Sequence, residues 1–343
     1  MHILVTGNQG YIGTVLTEIL MDQGYEVTGF DIGYFADCQL ESCNPPHQQI
    51  TKDIREVETS DLAGIDAVIH LAALSNDPLG ELAPGLTEEI NLGGTIRLAK
   101  LAKEKGIKRF VYSSSQSMYG ISDTEEELEE DKSQKNAITS YARTKWEAEC
   151  ALNALHDNDF TVVCFRPSTV FGASPRLRCD IVFNNLVACA YTTGKIEIKS
   201  DGTPWRPVVH VKDVCAAYIA GLEAPTELVG GRSYNVGIQN GNFTVRDLAE
   251  AAQRTVPGSE LTFTGEHGKD ARTYRVSFSR ILTELQNYYQ PEWNLDRGGQ
   301  ELVELFKRTK FDEKHFRGSN CNRIQKIQNL LDHRNLNQQL RWK

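Results

Sequence analysis

The stretch HILVTGNQGYIG, residues 2–13, decides the fold. Its first half is a short β-rich run, and the next segment, YIGTVLTEILMDQG, has helical period, so the glycines sit at a strand-to-helix turn. Gly7, Gly10 and Gly13 permit a tight turn and let the backbone come close to a pyrophosphate, whose charge then meets the helix N-terminus; Tyr11 and Ile12 belong to the same turn. Asp31 closes the next β-rich run, EVTGF (26–30), 18 residues beyond Gly13, where a carboxylate can accept both ribose hydroxyls. Its charge repels a 2′-phosphate and no arginine follows in DIGYF to neutralise one, so NAD is expected rather than NADP. Asp53 and Ile54, at the end of a third strand, are placed to receive the adenine edge; the alternative for Asp53 is a solvated carboxylate closing a strand.

Outward from this turn the alternation continues through DAVIHL (66–71), KRFVYSS (108–114) and TVVCFRP (161–167), with helical patterns between them. Strand and helix repeated this way predict an α/β, doubly wound parallel sheet of the Rossmann type. After Pro167 the rhythm fails, and a smaller, discontinuous α+β substrate lobe is expected at the carboxyl ends of the strands. One return to the sheet is read through PVVHVKDVCAAYIAGL (207–222) and RSYNVG. The dinucleotide-binding domain then takes 1–166 and 207–236, and the substrate lobe 167–206 and 237–343, including a polar tail. That tail holds one amphipathic stretch, NRIQKIQNLLDH (322–333), with Ile324, Ile327 and Leu330 or Leu331 on one face.

A chain of 343 residues with 40% hydrophobic and 24% charged residues is ordinary for a globular protein of two lobes, and no apolar run is long enough to cross a bilayer. Residue 1 leads directly into HILVTG, leaving no room for a secretory signal, and a cytoplasmic location is expected. The formal charge of −9 argues against nucleic acid as a partner. The eight cysteines form no CxxC pair and no cluster at metal spacing, which points to reduced, buried thiols and to no metal.

Tyr141 and Lys145 in YARTK are four apart, so both project from one helical face. A neighbouring ammonium and an oxidised nicotinamide ring can depress a phenol enough for general-base work near neutral pH. The strand before it ends in Ser113, Ser114 and Ser115, whose hydroxyls can bind the same substrate oxygen. His70 in HLAAL is read as packing at a strand end rather than doing chemistry.

The set TGxxGxxG, Asp31, HLAA (70–73), INLGGT (90–95), SSSxSxYG (113–120), YxxxK and RPSTVFG (166–172) resembles the extended short-chain dehydrogenase/reductase superfamily. Within it the chain is similar to nucleotide-sugar enzymes of the UDP-galactose 4-epimerase and sugar-nucleotide dehydratase type, from residue 1 to about Lys310. The resemblance implies a retained NAD that oxidises a sugar carbon, usually C4, and is then restored. Tyr141 would take the hydroxyl proton, Lys145 would hold the nicotinamide ribose and lower the Tyr141 pKa, and Ser115 would orient the sugar. Leu71, Ala72, Ala73, Ser113 and Pro167 would line the cofactor. Ser75, Asn76, Gln116, Ser117, Asn184, Asn185, Arg206 and Arg272 would contact a nucleotide sugar, the arginines by their planar fork on phosphate. A homodimer through the helix from Ser140 and the long helix before Lys108 is implied as well.

Dehydratases of this superfamily commonly carry a carboxylate directly after the hydroxyl residue, where this chain has Gln116 and Ser117. Neither can abstract a carbon-bound proton. Oxidation with re-reduction, as in a C4 epimerase, is therefore the leading expectation, ahead of a 4,6-dehydratase or a net C4 dehydrogenase. A non-catalytic NAD-binding regulator is the alternative from another class. Asp77, in LSNDPLG, is a further carboxylate on a loop of this kind; the other reading of Ser75, Asn76 and Asp77 is a polar turn ahead of Pro78.

Overall fold

The computed structural model describes residues 1–121, 126–266 and 273–343. Its strands are β1 (His2–Thr6), β2 (Glu26–Asp31), β3 (Gln48–Thr51), β4 (Ala67–His70), β5 (Arg109–Ser113), β6 (Thr161–Pro167), β7 (Thr169–Phe171), β8 (Lys195–Ile198), β9 (Trp205–His210), β10 (Arg232–Val236), β11 (Asn242–Thr244) and β12 (Glu260–Phe263). Seven of them form one sheet in the order β10-β6-β5-β4-β1-β2-β3, parallel throughout. The strand order reverses between β1 and β4, which opens a crevice beyond their carboxyl ends, the place where doubly wound sheets take ligands.

Successive side chains of these strands enter two different cores, as a period of two requires. Ile3, Val5, Val27, Ile69, Val111 and Val163 face one side, beneath the helices Tyr11–Asp22 and Val211–Glu223. Leu4, Phe30, Val68, Phe110, Tyr112 and Val162 face the other, beneath the helices Gly94–Glu104 and Ser140–Leu155.

The smaller lobe holds a three-stranded sheet, β11-β9-β7, and the pair β12-β8, packed among the helices Val182–Thr193, Val245–Thr255 and Leu295–Arg308. Two assignments made from the sequence need correction. PVVH (207–210) does not enter the large sheet: as part of β9 it pairs with β7 and β11, and only the helix Val211–Glu223 and β10 return. Pairing of β9 with β7, which directly follows β6, is a long-range choice that hydrophobic pattern cannot express.

Nor does the end of the chain lie on the substrate lobe alone. The helix Arg323–Asp332 and the turn after it run back along the β2–β3 edge of the large sheet, where Ile327, Leu336 and Leu340 are buried with Phe30, Tyr34 and Ile54. Five of the cysteines are buried and all eight are free thiols. Among the described residues no helix is long and apolar enough to cross a membrane.

Candidate active site

The carboxyl ends of β1, β2, β4, β5 and β6 open into a cavity of about 610 Å³. Gly7 (φ +72°) turns the chain out of β1, and a Cβ there would stand 2.8 Å from the Ala72 nitrogen. At Gly13 a Cβ would collide with the Gly7 carbonyl at 2.1 Å. The turn is thus a cradle that side chains would fill, and it suits a flat, charged group lying on the N-terminus of the helix Tyr11–Asp22. Asp31 closes the cradle from β2, its carboxylate oriented by the Gln9 and Gly33 amides at 3.0 and 2.8 Å. Burial raises the Asp31 pKa, while those two amides and the nearby charges of Arg176 and Arg323 oppose the shift. These residues fit a dinucleotide.

Along the same cavity lie Tyr11, Ile12, Asp53, Ile54, Leu71, Ala72, Ala73, Ser113 and Pro167. The Tyr11 phenol itself points across to the second lobe and donates to the Gly172 carbonyl at 2.7 Å, so the side chain ties the lobes together. The Asp53 carboxylate is gripped by Arg55 through Nε at 3.0 Å and caps the turn at Ile54. His70 bridges the hydroxyls of Thr6 and Thr95 at 2.6 and 2.7 Å. Full burial, with the Lys145 charge adding, pushes its pKa down to about 3, so it stays neutral.

The helix Ser140–Leu155 starts at Thr139, whose hydroxyl accepts from the Ala142 amide. One stripe of it then presents Tyr141 and Lys145 to the cavity and, a turn further on, Glu149 to the core. Lys145 is buried and donates to the Ser113 carbonyl at 2.6 Å, beneath the Tyr112 ring. The Ser115 hydroxyl shares hydrogen bonds with Ser117 at 2.9 Å and with the Tyr141 phenol. Burial pushes the Tyr141 pKa up to about 12; the bond from Ser115 opposes this and the Asp77 charge adds to it. The expected lowering by Lys145 is therefore not in place in the protein alone, because that amine is committed to a backbone carbonyl and is itself pushed down to about 7 by burial.

That depression has a consequence for stability. An amine with an unfolded value of about 10.4 binds fewer protons in the folded chain than in the unfolded one from pH ~7 to ~10. Stability therefore rises with pH across that window. Urea unfolding of the cofactor-free protein at pH 7 and 9.5 should show a larger gain for the wild type than for Lys145→Met; equal gains would remove the buried amine as the cause.

Of the substrate-side residues, Ser75, Asn76, Ser115, Gln116, Ser117 and Arg206 line the cavity. Gln116 does so with its amide nitrogen turned away, donating to the Arg166 carbonyl at 3.0 Å. Asn184 and Asn185 do not face the cavity. Asn184 is fully buried, accepting from the Gly172 amide and donating to the Arg178 carbonyl, and Asn185 donates to the Cys179 carbonyl, so both shape the 172–179 loop from the helix Val182–Thr193. Arg272 lies outside the described residues.

The cavity also gathers residues that the motifs do not contain: Asp77, Thr139, Arg178, Asp180, Tyr274, Asn322, Arg323 and Ile324. Arg178 and Asp180 form a buried pair at 2.9 Å. Burial alone would raise Asp180, yet the Arg178 guanidinium holds it below the usual carboxylate range. Asn76 caps the short turn Asp77–Gly80, as the polar-turn reading requires, but Asp77 also faces the cavity close enough for its charge to act on Tyr141. Arg178 and Asp180 were not singled out from the sequence; their one local signal is the pair of arginines and the aspartate at close spacing in SPRLRCD (174–180).

A family model described as "NAD dependent epimerase/dehydratase family" matches residues 3–237. A UDP-glucose 4-epimerase of Bacillus subtilis (strain 168) is 31% identical over 88% of this chain and 94% of its own length. A UDP-glucuronate 4-epimerase of Thermodesulfobacterium geofontis is 26% identical over 90% of this chain and 99% of its own. Among solved structures, the UDP-glucuronic acid 4-epimerase of Bacillus cereus, in complex with UDP-glucuronic acid and NAD, superposes with a TM-score of 0.76 at 25% identity, covering 90% of this chain and 99% of that one. With the family model spanning most of the sequence and the glycine cradle, Asp31 and the Ser115, Tyr141 and Lys145 set on one cavity, the chain belongs to the NAD-dependent epimerase/dehydratase family.

Proposed function

We propose that the protein is an NAD-dependent nucleotide-sugar epimerase acting at C4, an isomerase that transiently oxidises and re-reduces a sugar carbon. One observation carries the choice of reaction: the side chain directly after Ser115 is the amide of Gln116, locked onto the Arg166 carbonyl, so that position offers no carboxylate to take a proton from carbon. The bound NAD would supply the hydride acceptor and donor. This chain's residues do the rest. Ser115 and Tyr141 take the sugar hydroxyl between them, and Tyr141 accepts its proton. Bringing a phenol from about 12 to near neutrality requires roughly 7 kcal/mol of preference for the anion. Placing positive charge in a cavity this enclosed is an efficient way to obtain it.

Arg206 is the described arginine from WRPVVHVKD that faces the cavity, and it is assigned to the nucleotide diphosphate. Asn76, Ser75 and Ser117 are assigned to the sugar. A cytoplasmic homodimer built on the helices Gly94–Glu104 and Ser140–Leu155 belongs to the same proposal, with light scattering as its check.

Asp77 supports one other reading. Its carboxylate shares the cavity with Tyr141, so it is the group to abstract a C5 proton if the enzyme is a dehydratase. Incubation with UDP-glucose, UDP-glucuronate and their GDP and dTDP counterparts separates the two. A diastereomer of unchanged mass is expected. Loss of water from the sugar would transfer the role to Asp77, and stoichiometric NADH with a keto product would make the protein a dehydrogenase.

A further inference from the structure

We propose that residues 319–343 are part of the dinucleotide site: a strap whose residues 322–324 wall the adenosine half of the cavity and whose anchorage sets how slowly NAD leaves. The inference rests on the reading of this cavity as the NAD site. It goes beyond the family pattern, whose matched region ends at residue 237.

Asn322, Arg323 and Ile324 line the same cavity as Asp31, Tyr34, Phe35 and Asp53. The chain beyond residue 324 is bound to that edge of the sheet by side chains reaching in both directions. The Trp342 indole donates to the Ile32 carbonyl at 2.7 Å, and the Tyr34 phenol donates to the Leu340 carbonyl. Arg55, which holds Asp53, also donates to the Gln339 carbonyl at 2.9 Å. Lys326 pairs with Asp37 at 2.6 Å, and Arg341 pairs with Glu56. Every partner lies between residues 32 and 56, the segment that carries Asp31's loop and the Asp53–Ile54 turn. The strap therefore cannot shift without disturbing the loops assigned to the ribose and the adenine.

Arg323 gives the contact a chemical direction. It is 1% exposed, stacks over the Phe35 ring at 4.6 Å and donates to the carbonyls of Asn320 and Arg176, all neutral partners. Arg176 is likewise buried on the Phe35 and Ala36 carbonyls. The hydrogen bonds of both guanidiniums go to neutral acceptors, while the carboxylates of Asp31 and Asp180 act on Arg323 through space; further negative charge beside the pair lowers the cost of burying them. Burial, together with the charge of Arg178, holds Arg323 down to about 10. A dinucleotide brings phosphate charge to this side of the site.

Hydrogen exchange on the full-length protein, with and without saturating NAD, tests the proposal without any mutation. Amides of residues 319–333 should exchange at least about tenfold more slowly with NAD bound. A chain ending at residue 333, which keeps residues 322–324 but loses the Leu336, Leu340 and Trp342 anchors, should release NAD about tenfold faster, with UDP affinity of the loaded protein within about twofold of wild type. NAD binding that leaves exchange in 319–333 unchanged overturns the strap alone, whatever the truncated chain does. Wild-type release from a folded truncated chain also overturns it. Failure of the full-length protein to bind NAD at all would instead overturn the reading of the cavity on which the proposal stands.

Discussion

Tyr141→Phe is expected to lower turnover of the nucleotide sugar by on the order of 10³-fold, with NAD affinity within about threefold of wild type. That loss corresponds to about 4 kcal/mol of transition-state stabilisation. The phenol oxygen is the titratable atom that Ser115 addresses from within the cavity. Lys145 cannot substitute for it, because its ammonium is tied to the Ser113 carbonyl and would have to give up that bond to approach the substrate. The ring itself keeps its place in the variant, since the helix Ser140–Leu155 is fixed by its Thr139 cap and by Ala148 and Leu152 in the core. Steady-state assays by product chromatography, with NAD binding followed separately by calorimetry, read both halves of the prediction. A fully active variant would take the proton transfer away from Tyr141. A wild type that binds NAD but turns over none of the nucleotide sugars would instead revive the view of the protein as a cofactor-binding regulator.

The second large effect is on stability. One further turn along the same helix, Glu149 is completely buried and accepts hydrogen bonds from Ser114 and Ser233 at 2.6 Å and from Arg166 Nε at 3.1 Å. Arg166 in turn donates to the Tyr119 phenol and to the Glu130 carbonyl. Burial tends to lower the Arg166 pKa, but the Glu149 carboxylate outweighs it and the guanidinium stays charged. Glu149→Ala leaves that cation in the core without its counter-charge, and a loss of about 3–5 kcal/mol is expected. The double variant Glu149→Leu, Arg166→Met removes both charges and should recover most of that loss. Urea titrations of Glu149→Leu, Arg166→Met and the double variant give the coupling energy directly. A double variant as unstable as the sum of the singles would mean that the pair does not act as a unit.

The network also connects stability to the site. Glu149 holds Ser114, the neighbour of Ser115, while Gln116 hangs from the backbone of Arg166. The hydroxyl row SSS at the end of β5 is thus positioned from the core side by an ion pair whose carboxylate, Glu149, no motif contains.

Local pattern was enough to read the first half of the molecule. The period-two runs and the glycine turn specify a buried parallel sheet and a helix N-terminus, and the spacing of Tyr141 and Lys145 follows from helical geometry alone. The second lobe was less legible because its chemistry is distributed. Asn184 looked like a ligand by position, yet its amide is consumed by the Gly172 and Arg178 backbone. Arg178 and Asp180, by contrast, line the cavity from a loop with no periodic signature. The depression of the Tyr141 pKa expected from Lys145 also fell outside local reasoning, because burial and hydrogen-bond commitment are properties of the assembled site.

By itself, the order of residues determined the sheet, the dinucleotide turn with its preference for an unphosphorylated ribose, and the serine, tyrosine and lysine proposed for the reaction. Each of these is written within a few dozen neighbouring positions. Only the tertiary structure decided that β9 leaves the large sheet, that Asp77 and Arg178 stand beside Tyr141, and that the end of the chain returns to the loops around Asp31 and Asp53. The reason is physical: contacts such as Trp342 with Ile32 join positions 310 residues apart. They form because apolar faces and buried charges find complementary partners in three dimensions, a condition that no local window of sequence records.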